Sequence, residues 1–184
     1  MANRRSKTDA GSEVSLGSEM PLLVGKHVNK IDRKGRVSVP KPFRDGLLEA
    51  EPRSSFAGVY AFPSFKFPAL EVCDESYMAW MAESVDDMDL FSDEQDDMSS
   101  VILENAHPLP FDPEGRVVLP AELLEHAGIS GEVMFVGSGE RFRVWDPETY
   151  REHSKKAFER ARASGATLPR RPRDRRRRDE GSQP

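Results

Sequence analysis

Four cations fall within seven residues of this chain, at Lys30, Arg33, Lys34 and Arg36, with the carboxylate of Asp32 among them. Those residue types, clustered at a turn, suit phosphates and base edges. A lysine ammonium is a compact point charge for a phosphate, while the planar arginine fork can donate to two acceptors of one guanine at once. The stretch DRKGRVSVP, Asp32–Pro40, is then respelled eighty residues later as DPEGRVVLP, Asp112–Pro120. Asp112, Gly115 and Arg116 recur in step with Asp32, Gly35 and Arg36. Two readings of each Asp–Arg pair stand side by side. The arginine contacts DNA, or it closes a salt bridge that pins the turn; in a mixed role the aspartate orients the arginine toward a groove. An exposed bridge contributes about 0–1 kcal/mol, too little to require the motif for stability alone.

These residues need a turn to carry them. Asp at the first position and Gly at the fourth match a type I turn, in which Asp accepts a backbone bond and Gly ends the turn without steric cost. LLVGKHVNKID reads as a strand, RKG as the turn and RVSVP as the returning strand of a tight hairpin. Pro40 or Pro42 then opens a helix over PFRDGLLEAE, and FAGVYAFPS reads as a closing strand. The second half runs likewise. HPLPFD is a strand, PEG the turn and RVVLP the return, followed by a helix over AELLEHAGI that Pro120 starts and Gly128 stops. EVMFVGSGERFRVWD is a hairpin around Gly137-Ser138-Gly139. A last helix begins at Pro147, capped by Asp146. The repetition predicts a pair of β-β-α-β units whose incomplete sheets complete each other.

Charge is distributed unevenly, which matters more for choice of partner than the net −5 of the whole chain. Residues 21–70 hold nine basic and four acidic side chains, whereas residues 71–104 hold twelve acidic and no Lys or Arg. The first turn therefore lies in a basic segment. In the second, Glu114 takes the place of Lys34, which predicts that the first half supplies most affinity and the second mainly register or subunit packing. Tyr77, Trp80, Met81 and Val85 recur at helical spacing within the acidic segment, so one or two helices are expected to link the halves, their charged face either solvated, repelling nucleic acid or pairing with basic turns of a neighbouring subunit. The resulting division is an extension expected to be disordered over 1–20, a first domain over 21–67, an acidic helical linker over 68–105, a second domain over 106–155, and a helix end with an Arg-rich tail over 156–184. The tail, RRPRDRRRRDEGSQP, reads either as a solvated end or as a sequence-independent phosphate-binding arm.

Enzyme chemistry finds little to work with. His27, His107, His126 and His153 are scattered, no H-E-x-x-H, Walker loop or G-x-G-x-x-G is present, and Cys73 lies alone in the acidic segment. DDMDLFSDEQDD lacks the glycine and terminal glutamate spacing of an EF-hand. No catalytic residue, metal or cofactor is expected. One cysteine excludes an intramolecular disulfide and fits a reducing compartment, no apolar run is long enough to span a membrane, and the N-terminus has no apolar secretory core. The expected location is the cytoplasm.

VNKIDRKGRVSVPKPFRDGL, DPEGRVVLPAELLEHAGI and the closing EVMFVGSGERFRVWDPETY together resemble the MraZ family of bacterial transcriptional regulators, over about residues 21–155. Each half resembles a SpoVT/AbrB-type swapped-hairpin domain. The resemblance implies an α+β fold in which two tandem units form a pseudo-symmetric, β-barrel-like core with peripheral helices. It implies a DNA-binding homo-oligomeric ring, an octamer or larger, on short direct repeats of double-stranded DNA before the division and cell-wall gene cluster, acting as a repressor of its own promoter. By the same resemblance Arg36 and Arg116 carry the DNA contact. The rival is an AbrB-like antitoxin or other protein-interaction module whose C-terminal arm wraps a partner, although such antitoxins usually carry one such domain. A purely architectural ring is a third possibility.

Overall fold

The structure is a computed structural model that describes residues 22–50 and 56–168, with the side chain of Ala50 left aside. The expected N-terminal extension and Arg-rich tail lie outside the described residues. Compact contacts divide the chain at Tyr150, and the two units are taken in turn.

In the first unit the strands are β1 (Lys26–Lys30), β2 (Arg36–Ser38), β3 (Gly58–Pro63), β4 (Ala69–Cys73), β5 (His107–Pro110), β6 (Arg116–Val118), β7 (Glu132–Gly137) and β8 (Phe142–Trp145). Helices α1 (Lys41–Ala50), α2 (Glu75–Asp86), α3 (Asp93–Ser99) and α4 (Ala121–Ala127) lie between them, and a π-helical turn, Ser100–Glu104, follows α3. Six strands form one antiparallel sheet in the order β1-β7-β8-β4-β3-β5; β2 and β6 form a separate antiparallel ribbon. The fold is therefore mixed α+β. The sheet ends openly at β1 and β5, so its described strands do not close into a barrel.

The two halves interleave. β1 of the first half pairs with β7 of the second, Lys30 opposite Glu132, and β3 pairs with β5. The tight hairpin expected from LLVGKHVNKIDRKGRVSVP does not form. The Asp32 amide donates to the Arg36 carbonyl at 3.0 Å, closing the root of the turn, but beyond that point the two arms take different partners. β2 pairs with β6, with Arg36 opposite Val118, Val37 opposite Val117 and Ser38 opposite Arg116. Alternating hydrophobicity states which side chains face inward, not which strand lies alongside, and two equivalent half-sheets can exchange strands without altering that alternation.

Val37 and Val117 point inward at 1 % and 3 % exposure and join Phe43, Leu123, Phe135 and Phe142 in the main core. Each fully buried side chain of this size contributes about 1.5–3 kcal/mol. The Val37–Val117 pair thus fastens the ribbon to the body, and the period of two sends Arg36, Ser38, Arg116 and Val118 to the opposite face.

The helical reading of residues 68–105 needs one correction. Its first residues form β4, all five of them buried in the middle of the sheet. A short apolar run has the same appearance in a buried strand and a buried helix, and the clear helical spacing begins only at Tyr77. α2 starts where Asp74 accepts from the Tyr77 amide at 2.8 Å. It packs Tyr77, Met78 and Met81 with the π-helical turn around Phe62, Cys73 and Ile102, a second, smaller core. Burial pushes the Cys73 thiol well above its ordinary pKa, with the neighbouring Asp74 charge adding to the effect.

β4 also carries a buried carboxylate. Glu71 accepts from Arg143 Nε at 2.6 Å, Arg141 Nε at 3.0 Å and Ser64 Oγ at 3.2 Å. Arg141 Nη1 goes on to donate to the Tyr77 hydroxyl at 2.7 Å, tying α2 to the sheet.

Several local expectations hold. Gly128 ends α4 in the left-handed conformation, β7 and β8 form the hairpin, and Asp146 caps α5 (Pro147–Ala163) by accepting from the Glu148 and Thr149 amides. In the second unit the described residues are the remainder of α5 from Arg151 and the chain to Leu168, with Phe158 exposed. No described helix is long and apolar enough to cross a membrane.

Candidate nucleic-acid interface

Both turns are built by one aspartate. At the first, the Asp32 carbonyl accepts from Gly35 at 3.0 Å, and its Oδ1 accepts from the amides of Lys34 at 2.8 Å and Arg36 at 3.0 Å. The other carboxylate oxygen, Oδ2, receives Arg36 Nε and Nη2, each at 2.7 Å. At the second, Asp112 repeats every one of these backbone bonds and receives Arg116 Nε at 2.7 Å. The Arg36 amide bond holds the Asp32 carboxyl below the usual carboxylate range, helped by the guanidinium and the Lys34 amide against some desolvation; Asp112 is held down in the same way by Arg116. Gly35 and Gly115 take φ of +77° and +73°, which side chains with a Cβ adopt only at a cost.

The salt-bridge reading of the Asp–Arg pairs is thus realised, in a form that leaves the arginine partly exposed. Arg36 and Asp32 side chains are 39 % and 40 % exposed. A guanidinium has five N–H groups, and Arg36 uses its Nε side on Asp32; among the described residues it has no second acidic partner. Because Arg36 faces Val118 and Arg116 faces Ser38 across the ribbon, the two arginines are diagonal neighbours on its outward face. Ordinary sheet geometry separates such diagonal positions by about 7–8 Å. Ser38 and Val118 complete that face, both exposed. A two-stranded β-ribbon is one of the shapes that the major groove admits.

The other expected residues are placed as follows. Arg33 and Lys34 are exposed at the tip of the first turn. Lys30 ends β1 and so belongs to the edge of the six-stranded sheet rather than to the ribbon. Glu114 does more than replace a cation: its Oε2 lies 2.7 Å from Arg116 Nη2, so Arg116 is held by two carboxylates where Arg36 is held by one. The adjacent E-G-R letters could have signalled this. Arg44 of α1 was not anticipated. Its Nη1 donates to the Gly115 carbonyl at 3.1 Å and approaches that of Glu114 at 3.4 Å, so the first half lays a guanidinium over the second turn. The matching position of the second half is Leu124, which has no donor to return. Nothing in the sequence marks an arginine on a short helix as the cap of a turn seventy residues away.

Comparison with known proteins bears on the same segments. A family model described as "MraZ protein, putative antitoxin-like" matches residues 102–170. A protein of Gluconacetobacter diazotrophicus named transcriptional regulator MraZ is 38 % identical over 148 residues, covering 80 % of this chain and 88 % of the relative. The chain belongs to the MraZ family. Proteins of the same name from Rickettsia bellii and Rickettsia akari are 37 % and 36 % identical, each covering 81 % of this chain and 97 % of the relative. Within this MraZ chain the family match over residues 102–170 takes in the whole second turn, Asp112 to Arg116.

Proposed function

We propose that this MraZ-family chain is a transcriptional regulator that binds double-stranded DNA in a sequence-selective way through the outer face of the β2–β6 ribbon, as a non-enzymatic cytoplasmic protein at the nucleoid. The observation that carries the reading is the pair Arg36 and Arg116 on one exposed face, each aimed by an aspartate that also builds its turn. An arginine fixed in this way has lost side-chain freedom before it meets DNA, so less entropy is lost on contact. Arg33, Lys34 and Lys30 provide phosphate attraction around Arg36, and the two repeats act as the tandem units 21–67 and 106–155 joined by the acidic segment. One ribbon neutralises few phosphates; repeated DNA sites matched by subunits of a ring, an octamer or larger, raise avidity through effective concentration. Direct repeats in the chain's own promoter, ahead of division and cell-wall genes, are the proposed operator, and repression the proposed outcome.

Arg36→Ala tests this. The Gly35, Lys34 and Arg36 amides still bond to Asp32 in the variant, so fold and assembly are retained. Loss of one bidentate guanine contact costs about 1–3 kcal/mol per site, and more across an assembly. A gel-shift titration on the DNA upstream of the gene should lose the specific complex; binding equal to that of wild type would refute the assignment. The family description also favours a protein-interaction role of the antitoxin kind. Co-purification of a small toxin from the host, without operator binding, would select that reading.

A further inference from the structure

We propose that Glu114 is a gate on the second turn: it occupies Arg116 in free protein, must leave for DNA to reach that arginine, and so makes the second contact conditional on the DNA offered. This rests on the DNA reading above and adds to it a residue that decides whether the second arginine is engaged.

Three observations carry it. Glu114 Oε2 sits on Arg116 Nη2 at 2.7 Å, beside the Asp112 bond to Nε, so two of the three guanidinium nitrogens already face carboxylates. The Glu114 side chain is 64 % exposed and is tied only at that end, so it can swing away while its amide stays bonded to Asp112 Oδ1 at 3.0 Å. A second cation stands next to it, because Arg44 Nη1 lies 3.4 Å from the Glu114 carbonyl and 3.1 Å from that of Gly115. A displaced carboxylate therefore has an arginine to move toward rather than being released against incoming phosphates.

The first turn has neither part of the device. Lys34 stands in place of Glu114, and Leu124 in the place that Arg44 occupies. Arg36 also commits Nε and Nη2, but among the described residues to Asp32 alone, so at the first turn no second, separable carboxylate has to leave before DNA is met. The second turn exchanges a good ion pair for a DNA contact, an exchange favoured only where base or phosphate acceptors match the carboxylate it gives up. General electrostatics makes a different forecast, since a removed negative charge near DNA would strengthen binding whether or not Arg116 is present.

The experiment uses full-length wild type, Glu114→Gln, Arg116→Ala and the double variant, with fluorescence anisotropy on two labelled duplexes. One is the DNA upstream of the chain's own gene, the other a scramble of equal length and composition. Glu114→Gln should bind the upstream duplex more tightly, by up to about fivefold for one exposed ion pair released, with a smaller gain on the scramble, where wild type keeps the ion pair and forgoes only a poor contact. In the Arg116→Ala background the gain should vanish. A gain of equal size with and without Arg116, no gain at all, or an Arg116→Ala variant that binds like wild type would each overturn the gate. If wild type discriminates between the duplexes and Arg36→Ala does not bind, the DNA reading survives that failure. If wild type fails to bind either duplex, the DNA reading falls and the gate with it.

Discussion

Glu71→Gln should destabilise the fold measurably without touching the ribbon. The substitution keeps the shape and one acceptor but removes the charge that faces Arg143 at 2.6 Å and Arg141 at 3.0 Å. Hydrogen bonds to charged groups contribute about 1.5–3 kcal/mol against roughly 1 for neutral ones, so each arginine bond weakens by about 1 kcal/mol. Removing one member of a fully buried pair can cost about 3–5 kcal/mol. Here the Arg141 and Arg143 side chains are 31 % and 23 % exposed and recover some hydration. A cost of about 2–3 kcal/mol follows, which for a chain of this size lowers Tm by roughly 4–12 °C. Thermal unfolding at neutral pH, followed by circular dichroism, measures it directly. Arg143→Gln added to the variant should cost far less than it does in wild type, because the carboxylate it served is gone. A Tm drop below about 2 °C, under 1 kcal/mol on the same scale, would refute the reasoning and make the clamp a surface bridge.

Two further outcomes concern the turns. Gly35→Ala should destabilise more than Gly115→Ala by about 1–3 kcal/mol, read from urea midpoints. Both place a Cβ at positive φ, but at Gly35 it meets the Leu119 carbonyl at 2.6 Å, which is backbone, whereas at Gly115 it meets the movable end of Arg44; equal midpoints would overturn this. The depressed carboxyls of Asp32 and Asp112 stabilise the folded state at any pH above the unfolded value of about 3.9 and lose that contribution as pH falls through their lower folded values. The stability difference between wild type and the Asp32→Asn, Asp112→Asn double variant should therefore stay flat from neutral pH to about 4 and shrink below it; a difference that grows in acid would contradict the turn geometry.

What could be read from the letters was local. Asp at the first and Gly at the fourth position specify a turn through bonds within five residues, and Gly128 and Asp146 end and begin helices by equally short-range means. The partners of β2 and β6 could not be read that way, because exchange between two similar halves leaves each half's own pattern unchanged. β4 was hidden by an apolar run that either a helix or a strand would satisfy. In the candidate site, Arg36 and Arg116 stood out by repetition, while Ser38 and Val118 on the same outward face had no chemical mark. Arg44 acts across 71 residues of sequence. Its signal exists only in three dimensions.

The exchange of strands also sets a timetable for synthesis. Lys30 of β1 pairs with Glu132, 102 residues further on, and Val37 with Val117, 80 residues further on. At about 5–20 residues per second of translation, the first strand waits roughly 5–20 s for its neighbour. During that interval the basic turn has left the ribosome without the ribbon that presents it, and the backbone edge of β1 has no neighbour. A message cut short before the codon for Val118 yields a protein with the cations of the first turn but no outward face on which to present them.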